Sequence, residues 1–254
     1  MGQPVRPWHQ RDPSFYAREK ALIAAQYPGL RYAEVDDKVL LSGTLAVSVS
    51  VEGQIIKDEY QISVEFPDDY PGSLPLVREV GGRKERTTSK WSLNGGIIDL
   101  HYNTATGAVQ GSACLCARVL EGMYLPREIR TIALFIEKLV VPFFCNQSHF
   151  EATGTWLNGE YSHGVAGIWE AYADILGIAD RQLIMATLEV LEEKRTVKGH
   201  WLCLCGSGRR VRDCHPSLLE SASRLLQVST LRRVGEDLVC LRNAPARNAQ
   251  PGTG

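Results

Sequence analysis

Two groups of residues carry side chains at spacings that could do chemistry. The first reads Leu100-His101-Tyr102-Asn103, then residues 104 to 110, then Gly111-Ser112-Ala113-Cys114-Leu115-Cys116. A cysteine thiolate is the strongest side-chain nucleophile near neutral pH. An amide donor held nearby can stabilise the oxyanion formed when a thioester or peptide carbonyl is attacked. The segment is turn-rich and joins strand-like to helix-like sequence, the kind of loop on which reactive groups gather. Acyl transfer is the chemistry this combination suggests. Against it stands the plain reading of Cys114 and Cys116 as small residues of an ordinary interior. Cys116 itself could be a nucleophile, a resolving thiol or core.

The second group is Cys203-Leu204-Cys205-Gly206-Ser207-Gly208, then residues 209 to 212, then Asp213-Cys214-His215. Three thiolates and an imidazole suit the closed tetrahedral coordination of structural zinc, and the two glycines let a short chain curl around one ion. With Cys203, Cys205, Cys214 and His215 all used, no position is left for an activated water, so the expected zinc is structural. Arg209, Arg210 and Arg212 could touch an acidic partner or RNA, or could simply keep a small module soluble.

The elements that must position these groups follow from periodicity. Residues 1–13, with three prolines and scattered charge, suggest an extended lead-in. Ser14 is placed to cap a helix in which Phe15, Arg18, Leu22 and Ile23 recur at helical spacing, with Tyr27-Pro28-Gly29 as the stop. From Leu30 to Val80 the period changes to two. Val39, Leu41, Gly43, Leu45, Val47, Val49 and Val51 alternate with small or polar residues, Glu52-Gly53 makes a turn, and residues 59–66 form the partner strand. A proline-locked loop, residues 67–75, leads to a short strand around Val77.

Residues 81–96 carry Arg83, Lys84, Arg86 and Lys90, read as a solvated loop or, less simply, a docking patch. Pro126 suits the first turn of a helix whose apolar stripe, Ile129, Ile132, Ala133, Ile136, Leu139 and Val140, is expected to end at Pro142. The loop from 153 to 164 holds Trp156, Glu160 and His163 among glycines, either as site residues or as packing. A helix from about Val165 to Leu176 follows. Asp180 begins another, running to Lys194, and residues 217–227 and 231–241 give two short amphipathic segments. Residues 244–254 read as a disordered tail.

Composition sets the bounds. The chain has 254 residues, enough for a medium domain plus an appendage, and 44% hydrophobic with 22% charged residues excludes disorder as the main state. A formal charge of -1 gives no global pull toward nucleic acid or anionic membrane. Nucleic acid is therefore not an expected partner. There is neither a signal core near the first residues nor a run of about 18 apolar residues, so a cytoplasmic location without membrane partners is the expectation. Seven cysteines in such a compartment favour metal binding or catalysis over disulfides.

The first group resembles the active-site segment of the ubiquitin-conjugating enzymes, in which His-Pro-Asn precedes Gly-x-x-Cys-Leu. His101, Asn103, Gly111, Cys114 and Leu115 take those places. Tyr102 stands where the family has proline, and the connection to Cys114 is longer by about three residues. Upstream, Phe66-Pro67, Tyr70-Pro71, Pro75 and Val77 are similar to the third-strand region of the same family. The resemblance spans residues 14–178. It implies an α+β fold with an antiparallel strand meander flanked by helices, and a bacterial enzyme that carries a ubiquitin-like modifier as a thioester on Cys114 and passes it to an amine. It also implies Asn103 as the oxyanion donor and His101 as a brace of the loop, with an activating enzyme, the modifier and a target protein as partners. Some bacterial relatives serve antiphage defence.

The second group resembles the zinc motif at the C-terminus of the bacterial secretory ATPase, with Leu204 in place of the usual proline. It implies a small helical zinc-binding module over residues 179–243. Two other functions stay open on the sequence. One is a catalytically inactive binding module of the same fold that docks partners through the knuckle. The other is a cysteine hydrolase pairing Cys114 with His163.

Overall fold

A computed structural model of the chain describes residues 6–51, 53–83, 111–116, 118–124, 128–157, 161–162, 164–227 and 231–243. Its elements in chain order are α1 (Trp8–Arg11), α2 (Pro13–Gln26), β1 (Leu30–Val35), β2 (Lys38–Val51), β3 (Gln54–Glu65), β4 (Leu76–Glu79) and α3 (Arg118–Tyr124). Then come α4 (Ile132–Phe135), a π-turn (Ile136–Val140), α5 (Val141–Thr153), α6 (Val165–Leu176), α7 (Arg181–Glu192), α8 (Val211–Cys214), α9 (Ser217–Gln227) and α10 (Leu231–Arg242). Contacts divide the chain into two compact units, Met1–Cys116 with Pro126–Gly159, and Ala117–Leu125 with Glu160–Gly254. The architecture is α+β. No helix among the described residues is long and apolar enough to cross a membrane.

The first unit is built on one sheet in which the strands follow in sequence order, β1-β2-β3-β4, each antiparallel to the next. The period-two pattern explains it: Leu41, Leu45 and Val47 on β2 are buried while Ala46 and Ser48, on either side of Val47, are exposed. On β3 the buried set is Tyr60, Ile62 and Val64. Phe144 of α5 meets Tyr60 with ring centroids 4.4 Å apart, so the helical segment covers this apolar face. α2 packs on β1 and on α4.

Three sequence expectations need correction in this unit. The lead-in is not wholly extended: α1 forms because Trp8, 5% exposed, is drawn among Tyr70, Phe66 and Tyr16, with centroids at 4.8, 5.1 and 5.3 Å. The cap of α2 is Asp12 rather than Ser14. Its carboxylate accepts from the Phe15 N–H at 2.8 Å and from the Ser14 hydroxyl at 2.7 Å, and Pro13 starts the helix without needing a donor. The helical stripe also does not end at Pro142. Proline there lacks an N–H, and the wider π-turn placed just before it lets the chain continue into α5, where Pro142 sits in the first turn.

The second unit is helical. α6, α7, α9 and α10 bury Ala171, Tyr172, Leu176, Leu183, Leu188, Leu191, Leu218, Ala222, Leu225, Val234 and Leu238 in one core, joined by Val119 of α3. Asp180 caps α7 as its type predicts, accepting from Gln182 N–H at 2.8 Å and Leu183 N–H at 3.4 Å. Tyr172 of α6 donates to Asp237 of α10 at 2.9 Å. Helix α6, which the sequence grouped with the first domain, thus belongs to the same core as the Cys/His segment.

Candidate metal centre and cysteine segment

Two short pieces of chain lie side by side to form the knuckle. The Val211 N–H donates to Trp201 O at 3.0 Å, the Arg212 N–H to Gly199 O at 3.1 Å, and the Cys203 N–H to Arg209 O at 2.7 Å. Between them the chain reverses through Gly206 and Gly208, both with φ near +75° (75° and 73°), a conformation that glycine adopts without a Cβ clash. Helix α8 then turns Cys214 back toward the loop, with His215 N–H bonded to Val211 O at 2.8 Å. Val211, fully buried, ties this turn to the helical core.

The result brings Cys203, Cys205, Cys214 and His215 together, with one ligand atom of each within 4.8 Å of the others. Cys203 Sγ is 3.2 Å from His215 Nδ1, and Cys205 Sγ is 3.6 Å from Cys214 Sγ. A tetrahedron with metal–sulfur bonds near 2.3 Å and metal–nitrogen bonds near 2.0 Å has edges of roughly 3.5–3.8 Å. The four residues therefore lie close enough to bind one metal ion. Cys203 is buried and the other three are half-buried.

The protonation preferences of two of these thiols diverge. Burial pushes the Cys203 thiol up to about 11, whereas the Ser207 hydroxyl and then its backbone N–H draw Cys205 down to about 6. Ser207 is the functional residue that sequence reasoning passed over. Its hydroxyl lies 3.2 Å from Cys214 Sγ, where it can donate to a thiolate. The signal was present in the Gly-Ser-Gly triplet, read there for its glycines.

The other segment is partly described. Ala113 N–H donates to Val77 O at 2.7 Å, and Ser112 bridges Arg78, so residues 112–113 extend the sheet beside β4. Leu115 N–H then returns to Ala113 O at 3.1 Å, a three-residue turn centred on Cys114. Because the chain turns here, the period-two rule that would place Cys114 and Cys116 on one side does not apply. Both are half-buried, and all seven cysteines are outside disulfides. His101 and Asn103, expected beside Cys114, lie outside the described residues, as does His163. Trp156 packs on Phe143 at 5.6 Å, which is the packing role of the two considered for it.

No family model matches this chain, and no curated protein and no solved structure matches it either.

Proposed function

We propose that the first unit is a ubiquitin-conjugating-like enzyme that carries a ubiquitin-like modifier on Cys114. The observation that carries this reading is the place of Cys114: half-buried, at a turn directly after a bridge to the last strand of a four-stranded sequential meander. That meander is preceded by helix α2 and interrupted by Phe66-Pro67 and Tyr70-Pro71, the order the resemblance requires. In the first step the Cys114 sulfur attacks the thioester carbonyl of the modifier on its activating enzyme. A new S–C bond forms, the old one breaks, and the departing thiol takes up the proton. In the second step a target amine attacks the thioester carbonyl, Asn103 donates to the oxyanion, the C–S bond breaks so that Cys114 leaves as the thiolate, and the proton lost from the amine nitrogen passes to solvent or to that thiolate. His101 braces the loop. The setting is the bacterial cytoplasm, with antiphage defence as the physiological role the resemblance suggests.

The four clustered donors hold zinc in this reading, since three thiolates and one imidazole are its preferred closed set. The zinc is structural and keeps residues 199–215 folded on the helical core.

A second reading, a catalytically inactive module that docks partners through the knuckle, is favoured by one observation. Leu202 is 68% exposed and pairs across a bridge with exposed Arg210, beside exposed Arg209 and Arg212. Alkylation followed by peptide mapping separates the two. The enzyme requires Cys114 to react well ahead of Cys145, whose thiol is raised by burial, and ahead of Cys240, which is exposed but has no activating role. Equal labelling of Cys114 and Cys240 favours the binding module.

A further inference from the structure

Helix α2 carries a carboxyl group in a place where charge is costly. Glu19 has no exposed surface and sits against a cluster of Trp8, Tyr16, Tyr70 and Val39, with Phe15, Tyr32 and Phe66 packed around it. Its Oε2 accepts twice, from the Tyr70 hydroxyl at 2.9 Å and from the Ile132 backbone N–H at 2.6 Å. Its Oε1 has no partner among the described residues. The Tyr32 hydroxyl is in the same position: buried and without a partner among those residues.

No cation is hydrogen-bonded or ion-paired to Glu19 among the described residues. The titratable groups facing it are Tyr70 from the loop after β3, Tyr32 from β1, and exposed Arg18 next to it on α2, whose pull is the weakest of those acting on it. From α4 only the Ile132 N–H faces it. An ionised carboxylate here would leave half its charge on an oxygen with neither solvent nor donor, which costs several times an ordinary hydrogen bond. A neutral acid removes that cost. Its O–H on Oε1 becomes a donor, and the Tyr32 hydroxyl, close enough to feel the Glu19 charge, is an acceptor equally in need of a partner.

We propose that Glu19 is held as a neutral carboxylic acid and acts as a pH-sensitive latch, joining α2 to the Tyr70 loop and to the start of the 132–153 helical segment. Three stretches of chain separated by 51 and 113 positions meet on this one group. Burial is the main influence on its titration and raises it. The sign follows: a carboxyl raised in the folded state contributes its full stabilisation below the unfolded value of about 4.3, and loses it as pH rises through the folded value. The latch therefore holds in acid and slackens toward alkali.

The test compares the full chain with Glu19→Gln and Glu19→Ala across mildly acidic to mildly alkaline pH. Thermal unfolding is followed together with hydrogen exchange at the Ile132 amide. A glutamine keeps the acceptor for Tyr70 and Ile132 and supplies an N–H in place of the acid O–H, without a proton to lose. Glu19→Gln is expected to match the native chain in acid and to exceed it in alkali, with Ile132 protection about tenfold higher there. Glu19→Ala is expected to lower the midpoint by roughly 4–8 °C in acid and by less in alkali, where the native latch has slackened. An infrared carbonyl band of a neutral carboxylic acid, lost in Glu19→Gln, should accompany the native chain near neutral pH. Loss of stability in Glu19→Gln equal to that in Glu19→Ala at every pH overturns the proposal, because the charge would then be what the site needs. Parallel pH profiles for native and Gln chains, or no such infrared band, overturn it as well.

Discussion

Replacing Cys203 by alanine removes the most buried of the four clustered donors, and the structure says how far the damage spreads. Residues 199–215 make six backbone hydrogen bonds of their own, from Cys203, Gly206, Val211, Arg212, Asp213 and His215. At about 1 kcal/mol each these return about 6 kcal/mol. Ordering some 17 residues costs on the order of 20 kcal/mol. The zinc proposed for this site would supply about 10–16 kcal/mol, and burial of Val211 with its neighbours contributes a few more. On that proposal the knuckle does not hold itself once the ion is lost. The core of α6, α7, α9 and α10, by contrast, is apolar and made mostly of helix residues; from the knuckle it takes Cys203 and Val211 as buried members, with Trp201, Leu204, Cys205 and Cys214 half-buried against its edge. Local unfolding of 199–215 is therefore expected, with the helical core retained. Hydrogen exchange read by mass spectrometry checks this in Cys203→Ala and in native chain treated with chelator. Peptides covering 199–215 should lose protection while those covering 165–192 and 217–227 keep it. Loss across both sets, or no loss in either, would refute the reasoning.

Two further perturbations are sharply set by geometry. A Cβ on Gly167 would lie 1.7 Å from Ser162 O, so Gly167→Ala should push away a segment held by two 2.6 Å bonds from Ser162 to Glu170 and by Tyr161 donating to Asp174 at 2.9 Å; a loss of roughly 2–3 kcal/mol in chemical denaturation is expected. Arg83 bridges Asp58 and Glu151 and lies 4.3 Å over the Tyr60 ring. Arg83→Met should cost roughly 2–3 kcal/mol, less than a fully buried pair because these groups keep some exposure. Burial alone would raise the Asp58 carboxyl, but the Arg83 guanidinium and the Glu59 N–H, with Ser148 adding less, outweigh it and lower it. Its stabilisation is thus present above the unfolded value near 4 and lost as pH falls through the folded one, so acid unfolding of the native chain should be steeper than that of Arg83→Met.

What the sequence made legible was what local rules govern. Alternation placed Leu41, Leu45 and Val47 inward on β2, because a period of two admits only one register against a buried face. Asp180 and the Cys-Leu-Cys-Gly-Ser-Gly run declared their own geometry through capping and tight turning. What stayed hidden depended on distant partners. Trp8 folds α1 only because Phe66 and Tyr70 wait for it across the chain, and the turn before Pro142 depends on a π-type widening that no periodicity announces. The burial of Glu19 among tyrosines was equally invisible, since a glutamate on an exposed helix reads the same in sequence. At the cysteine segment the motif located Cys114, but the turn on which it sits came from the backbone.

The central claim is that Cys114 carries an acyl group as a thioester, and intact-protein mass spectrometry tests it most directly. The chain is incubated with its activating enzyme, ATP and the ubiquitin-like modifier, then measured before and after a thiol reductant. A single modifier mass that the reductant removes, absent in Cys114→Ala and still present in Cys116→Ala, is the predicted result. In Asn103→Ala the same adduct should form but discharge to amine about 100- to 1,000-fold more slowly, as for the loss of one oxyanion donor. An adduct that survives in Cys114→Ala and vanishes in Cys116→Ala, or no adduct on the native chain, would contradict the account.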